Sequence, residues 1–432
     1  MSAIAEILIN QGFEVSGSDL HLTEVTKRLE ELGAKIYEGH SAENVRDADV
    51  LVYSSAVIPD NAEVRAAADR NIPIIKRAEM LAETMRMQYG IGIAGTHGKT
   101  TTTSMVGLTL TEGGIDPTII VGGKLSGLGG TNARLGNGEF IVVEADEFDR
   151  TFLKLTPTIA AITTLEREHL DTYKDLDDIK TAFIEFANKV PFYGFVVICL
   201  DEPALQDIIP FINKTIFTYG TTAQADVRAI DIEYEGFSSH YTAIYKGKEL
   251  GKIKLNIPGV HYVKNSLVAV TIGMELGIDF NIIKKALEKF TGVYRRFETK
   301  YKNDILVLDD YAHHPTETSA TLAGIRAAWD RRLVVIFQPH LFSRTRDFAD
   351  AFARSLEMLD DVILLEIYPA REKPIEGIDS AMLLKKIRSH NKILCSKENL
   401  IDELIRRNPE VLLTLGAGDI DQLVSPIIKA FK

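Results

Sequence analysis

The segment GIAGTHGKTTTT (92–103) has the residue types and spacing needed to hold a polyphosphate. An apolar strand ends at Ala94, Gly95-Thr96-His97-Gly98 forms a turn, and Lys99-Thr100-Thr101 opens a helix. Glycines let backbone N–H groups converge on phosphate oxygens, and the helix N-terminus adds positive potential. Lys99 can reach terminal phosphates, and the Thr100 hydroxyl suits Mg2+. The common P-loop would place its first glycine at 93; that position is Ile93, so this is a shorter variant. The bland alternative is a glycine turn with a solvated lysine. Strand, turn, Lys-Thr and helix occurring in order weigh against it. Alone, the cradle says only nucleoside triphosphatase or kinase.

Two further strand ends carry candidate chemistry. Glu144 closes the apolar run in EFIVVEADE (139–147), where an α/β strand delivers residues to a ligand crevice. A carboxylate there is a natural Mg2+ ligand, against the alternative of a charged strand end facing water. His169, in LEREHLD, follows another apolar strand in the same way.

Such residues must be positioned by the elements around them. Strand-like and helix-like patterns alternate through most of the chain, as in an α/β fold. Between about 215 and 257 the pattern changes to period two, which predicts antiparallel hairpins. After GVYRRFE (292–298), strands at DILVLDD, RLVVIFQ, DVILLEI, KILCS and VLLTLGA alternate with helical stretches, a doubly wound parallel layout. Boundaries are expected near 88 and 297, giving three blocks: 1–88, 89–296 and 297–432. The stretch around 365–380, with Pro369, Pro374 and Gly377, reads as a surface loop.

Composition narrows the function class. With 432 residues, 45% of them apolar, the chain can bury several cores. No apolar run reaches the ~18 residues of a membrane helix. No basic region precedes an apolar stretch at the start, so no secretory signal is expected. A net charge of −12 argues against nucleic acid on a general basic surface, so an anionic ligand must be held locally. Cys199 and Cys395 lie in apolar runs and read as core thiols of a reducing compartment.

These motifs resemble the Mur ligase family. The resemblance runs in order through SGSD (16–19), YSSAV (53–57), GTHGKTTTT, GGTNA (129–133), VEADEFDRTFL, REHLD, GVHYVKNSL, GVYRRFE, DDYAHHPTE, FQPHLFSRTRD and GAGDI, nearly the whole chain. The cradle is shared with folylpolyglutamate-type ligases; DDYAHHPTE and FQPHLFSRT are narrower and point to the alanine-adding branch. The resemblance implies a Rossmann-like UDP-sugar domain (1–88), a P-loop ATPase domain (89–296) and a Rossmann-like amino-acid domain (297–432). It implies a cytoplasmic enzyme of peptidoglycan precursor synthesis that uses ATP and two Mg2+ ions. L-alanine would be joined to the lactyl carboxylate of UDP-N-acetylmuramate through an acyl phosphate. Expected partners are those two substrates, with no nucleic acid and no membrane, and the chain a monomer or weak homodimer.

The resemblance also implies roles by position. Lys99, His313 and Arg344 form the catalytic set, with His313 and Arg344 beside the muramyl-alanine product. Arg344 suits the alanine carboxylate, which a guanidinium binds in a bidentate way. Thr100 and Glu144 hold one Mg2+, and His169 helps hold the second. His261 and Asn265 resemble the adenine-contacting pair; Tyr262 stands where many relatives have Asn. Arg296 matches the arginine that reaches ATP from the hinge, and Asp310 the acid near its ribose or phosphates. Some relatives carry a second arginine where this chain has Leu341, leaving His340 or Arg346 as substitutes. Ser54 and Ser55 fall among the substrate-binding positions, Thr131 and Asn132 on the muramic acid side, and Tyr311 either packs in the core or meets substrate. Sister ligases place a carboxylated lysine where this chain has Ile184, so none is expected; Lys180, one turn away, reads as a solvated helix residue.

Cradle and C-terminal residues lie far apart in sequence, so closure about Gly292 and RRFE is expected after ligands bind. The chain opens directly in an amphipathic helix containing Ile4, Ile7 and Leu8. Family members carry a strand and a turn ending in Gly-Met-Ser before this helix. Met1-Ser2 matches its last two residues, so the chain is expected to begin mid-motif and to hold UDP-sugar poorly. Two rivals stand beside this reading. One is a recycling ligase that attaches a tripeptide to the same sugar. The other is a noncatalytic binding module, against which intact Lys99, Thr100, Glu144, His169 and Arg344 argue.

Overall fold

A computed structural model describes all residues except 55, 56, 59, 123–131, 169–171, 360 and 371. The chain divides into two compact units. One comprises Met1–Ile230, Thr242–Gly251 and Lys264–Leu287; the other comprises Asp231–Tyr241, Lys252–Val263 and Glu288–Lys432.

In the first unit, parallel strands lie side by side in the order Thr118–Ile120, Phe140–Glu144, Tyr89–Ala94, Ile159–Ile162, Phe195–Cys199 and Thr215–Gly220. Strands covered on both faces carry continuous apolar runs, and IAAI and FVVIC are of that kind. Helix Lys99–Glu112 packs closely because residue 107 is glycine: a Cβ there would lie 2.6 Å from Ile119 Cδ1. Helix Leu176–Asn188 begins at Asp175, whose side chain accepts from Asp178 N at 2.9 Å. Its apolar face, Ile179, Ala182, Phe183 and Phe186, is buried. Phe152 lies against Phe183 and Phe186 with ring centroids 5.3 and 5.1 Å away.

The first sequence block contributes strands that pair in twos. Ser16–Asp19 pairs with Lys35–Glu38, and Leu51–Tyr53 with Ile74–Lys76, both in parallel. Helix Arg77–Arg86 follows and buries Met80, Leu81 and Met85. Strands Val227–Glu235, Ser238–Tyr245 and Lys248–Leu255 fall in the period-two region, connected by turns with Gly236 and Gly247 at φ 53° and 80°.

The second unit holds a six-stranded sheet in the order Glu298–Lys302, Leu306–Asp310, Val411–Leu415, Leu333–Phe337, Asp361–Leu364 and Asn391–Leu394. The five strands expected from sequence are parallel; the edge strand Glu298–Lys302, not anticipated, is antiparallel to its neighbour. The last strand in the chain is thus inserted between the second and third, which creates a crevice at the carboxyl ends of Leu306–Asp310, Val411–Leu415 and Leu333–Phe337. Cys199 and Cys395 are buried and free, as core thiols should be. Among the described residues, no helix is long and apolar enough to cross a membrane.

Truncating Phe186, which is fully buried, removes the ring between helix and sheet. F186A should lower stability by about 3–5 kcal/mol in chemical denaturation.

Candidate active site

The cradle is built where strand Tyr89–Ala94 ends. Gly95 has φ 133°, and a Cβ there would lie 2.2 Å from Thr163 Oγ1 and 2.9 Å from Thr164 N, so only glycine fits. Gly98, at φ 83°, caps helix Lys99–Glu112. The neighbouring strand's continuation braces the loop. Thr96 N donates to Thr164 O at 3.1 Å, His97 N to Thr164 Oγ1 at 2.8 Å, and Glu166 N to Thr96 Oγ1 at 3.0 Å. Thr163 Oγ1 donates to His97 O. Thr163 and Thr164 went unnoticed in sequence; a hydroxyl pair immediately after an apolar strand is the signal that could have found them.

Lys99 Nζ donates to both oxygens of Glu147, at 3.0 and 2.8 Å, and to Gly95 O at 2.8 Å. Burial pulls its pKa down, but Glu147, with Asp146 and Glu144, more than offsets this and holds the ammonium protonated. Thr100 Oγ1 donates to Glu144 Oε1 at 3.1 Å, and Gly122 N to Glu144 Oε2 at 2.8 Å. Burial pushes the Glu144 carboxyl above its usual range, and a cation beside it would reverse that penalty. A hydroxyl and a carboxylate are hard oxygen donors, so Thr100 and Glu144 fit Mg2+. Thr101 is buried.

Asn265, on helix Val260–Glu275, reaches the cradle: its Oδ1 would lie 2.7 Å from a Cβ at Gly98. His261 stands one turn earlier on that helix, and Tyr262 is buried, its ring 6.4 Å from that of Phe297. A cavity of about 80 Å³ lies beside Glu144, lined also by Arg77, Leu81, Gly122, Asp146 and Phe152. Arg77 was not singled out in sequence; it brings a cation from the first block to this cavity. Asn132 O accepts from Val121 N at 3.0 Å, next to Gly122. Ser54 is half-buried, its carbonyl accepting from Val57 N. The SGSD segment ends in a second polar cluster: Ser18 Oγ donates to Glu63 Oε2 at 2.7 Å, and Ser18 Oγ and His40 Nδ1 are 2.9 Å apart. Ser55, Thr131 and His169 lie outside the described residues. Ile184 lies within helix Leu176–Asn188, and Lys180 is paired with Asp207 at 2.8 Å.

In the second unit, the crevice gathers another set. The Tyr311 ring lies under both Arg295 and Arg296, at 5.2 and 5.3 Å. Tyr311 and His313 meet edge to face at 5.2 Å, and His313 and His340 at 6.0 Å. His340 stacks on Tyr368, and Arg344 Nη1 is 3.3 Å from His340 Nδ1. Burial, helped by Arg344, lowers the His340 pKa to about 4, so the ring is neutral at physiological pH. Leu341, between them, has φ 70° and caps helix Phe342–Leu356. Arg344 therefore has His340 as its neighbour, whereas Arg346 is half exposed and pairs with Asp347 at 2.7 Å.

Arg296 pairs with Glu317 at 3.1 Å, and Arg295 with Asp309 at 3.1 Å. Asp310, 2% exposed, accepts from Phe297 N, Ala312 N and Thr321 Oγ1, and burial pushes its carboxyl up to about 6. Its visible contacts are internal and hold the RRFE segment, where Arg295 and Phe297 have positive φ, as does Gly292 just before it.

Three family models match: the Mur ligase family catalytic domain over residues 1–89, the Mur ligase middle domain over 93–273, and the Mur ligase glutamate ligase domain over 295–418. The chain is 52% identical to a UDP-N-acetylmuramate–L-alanine ligase of Geotalea uraniireducens, over all of this chain and 96% of the relative. Among solved structures it is similar to a UDP-N-acetylmuramate-alanine ligase from Thermotoga maritima, with a TM-score of 0.82 at 29% identity, covering 100% of this chain and 96% of the other. A murein peptide ligase from Psychrobacter arcticus gives 0.71 at 25% identity, covering 100% and 96%. With these three regions matched in order along its length, the chain belongs to the Mur ligase family.

Proposed function

We propose that this protein joins L-alanine to the lactyl carboxylate of UDP-N-acetylmuramate with consumption of ATP, in the cytoplasm, as a step of peptidoglycan precursor synthesis. The observation that carries the reading is the cradle: Lys99 fixed at its mouth, with the Thr100–Glu144 pair alongside. Likeness to curated alanine ligases at about 50% identity supports the choice of substrates. The domain organisation we propose is 1–88, 89–296 and 297–432, with the chain a monomer or weak homodimer.

A carboxylate is a poor acyl donor because oxide is a poor leaving group. Transfer of the γ-phosphoryl group to it makes an acyl phosphate and ADP. The neutral amine of L-alanine then attacks the acyl carbon, and phosphate leaves. The first step brings several anions together, so this chain's task is charge neutralisation and alignment. Lys99 and the cradle N–H groups take the β- and γ-phosphates. Thr100 and Glu144 would hold one Mg2+ and His169 would help hold a second, supplying positive charge between phosphate and carboxylate. Asn265 and His261, one turn apart on the same helix, would contact the base of the nucleotide, and Arg296 would contact ATP. Arg77, Asn132 and Ser54 would contact the sugar substrate, and the family resemblance adds Ser55 and Thr131. Arg344 takes the carboxylate of L-alanine, with His313 and Tyr311 beside the bond that forms. Because His340 is uncharged, the guanidinium is the cation that an amino acid meets there.

ADP release should require both UDP-N-acetylmuramate and L-alanine. A demand for a tripeptide instead of L-alanine would identify the recycling reaction, and ATP turnover independent of both would overturn the reading. K99A should reduce ligation by at least about 100-fold, through loss of charge at the transferring phosphoryl group. R344K removes the bidentate fork and should raise KM for L-alanine ~10–100-fold while leaving KM for ATP unchanged. The His340 resonances should titrate near pH 4 by NMR. The folded state prefers the neutral ring, so its contribution to stability is complete above the unfolded value of about 6.5 and is lost as pH falls towards 4.

A further inference from the structure

We propose that Glu147 is a positioning residue for Lys99, fixing the point at which the ammonium meets the terminal phosphates. This rests on the ATP-dependent reading above. Glu144 and Glu147 are three residues apart, and geometry divides their work. Glu144 takes Thr100, whereas Glu147 takes Lys99 through both oxygens.

An ammonium has three N–H donors. Lys99 Nζ lies within reach of four oxygens: Gly95 O at 2.8 Å, Glu147 Oε2 at 2.8 Å, Glu147 Oε1 at 3.0 Å and Thr96 O at 3.4 Å. The Thr96 contact is the longest and the easiest to give up. A phosphate oxygen can take that direction while Glu147 keeps its hold.

The anchor is itself fixed. Glu147 is 2% exposed, and its carbonyl accepts from Tyr173 OH at 2.7 Å and from Arg150 N at 3.1 Å. Tyr173 is buried, and the Arg150 guanidinium lies over its ring at 4.6 Å. Main chain and side chain of residue 147 are thus both held, and through them the flexible four-carbon lysine stem is restrained.

Two consequences separate positioning from support. Removing the Glu147 charge takes an anion away from a polyanion site, so ATP should bind as tightly or more tightly. Freeing Lys99 should nevertheless slow phosphoryl transfer. The test compares wild type, E147Q and E147D as full chains. It measures Mg-ATP affinity by equilibrium titration and ATP turnover with both substrates present, with circular dichroism to confirm folding. Expected for E147Q is a turnover loss of at least tenfold with ATP affinity equal to or above wild type. E147D, which keeps the charge, should retain more turnover than E147Q, and it decides the matter if E147Q does not fold. Turnover within twofold of wild type in the folded variants overturns the proposal. So does a loss of ATP affinity as large as the loss of turnover, because that pattern marks a collapsed cradle. The binding arm needs neither acceptor substrate, so failure of the ligation reading would show separately, in the wild type's substrate requirement.

Discussion

A buried ammonium beside a buried carboxylate governs the first unit. Lys99 must be kept charged where water is scarce, and burial alone would favour its neutral form. Glu147 offsets that penalty, and the glycine turn supplies a carbonyl for a further proton. Removing either partner would leave an uncompensated buried charge, which costs about 3–5 kcal/mol. The surrounding elements are therefore committed to holding two short segments, 95–100 and 144–150, at fixed separation. Parallel pairing of Tyr89–Ala94 with Phe140–Glu144 sets that separation through the sheet register, Ile93 opposite Glu144.

The same register explains why threonines close the loop. Ile159–Ile162 pairs with the other edge of Tyr89–Ala94, so the chain after it emerges alongside Gly95. There Thr163 and Thr164 supply hydroxyls and a carbonyl to Thr96 and His97, and their backbone approaches too closely for any side chain at residue 95. Loop conformation is thus imposed by a neighbouring strand as well as by the loop's own glycines. The N–H groups of Thr96 and His97 are taken up by this bracing, which fixes the path of the turn into helix Lys99–Glu112.

In the second unit, aromatic packing works beside the Arg295–Asp309 and Arg296–Glu317 ion pairs. Tyr311, His313, His340 and Tyr368 form a chain of ring contacts, with Arg344 beside His340. Excluding water from this stack keeps His340 neutral and leaves the guanidinium as the charge presented. Arg295, 7% exposed, ties the RRFE segment to Asp309 and to the carbonyls of Gly416 and Gly418. Positive φ at Arg295 and Phe297 persists because these contacts over-determine the backbone.

Local pattern was enough to reveal strand Tyr89–Ala94, the glycine turn, the helix after it and the five parallel strands of the last block. Each depends on residues adjacent in the chain, on apolar runs or on glycine placement. Strands joined by tight turns between 227 and 255 were legible for the same reason, since alternation reports burial on one face; the start of the expected hairpin region was wrong, because Thr215–Gly220 joins the parallel sheet beside Phe195–Cys199. Other features needed contacts between distant residues. Sequence named Glu144 yet could not distribute the two glutamates of EADE between Lys99 and Thr100, because that depends on how two strand ends face each other. It passed over Thr163, Thr164 and Arg77, ordinary residues until sheet register or helix packing brings them beside the cradle. It left Tyr311 undecided between core and substrate, and His340 undecided against Arg346, since burial and ring stacking are properties of the folded crevice. The chain by itself therefore determined which chemical groups are available and on which elements. Tertiary structure alone decided which of them meet, because hydrogen bonds and charge pairing act over a few ångströms between residues tens of positions apart.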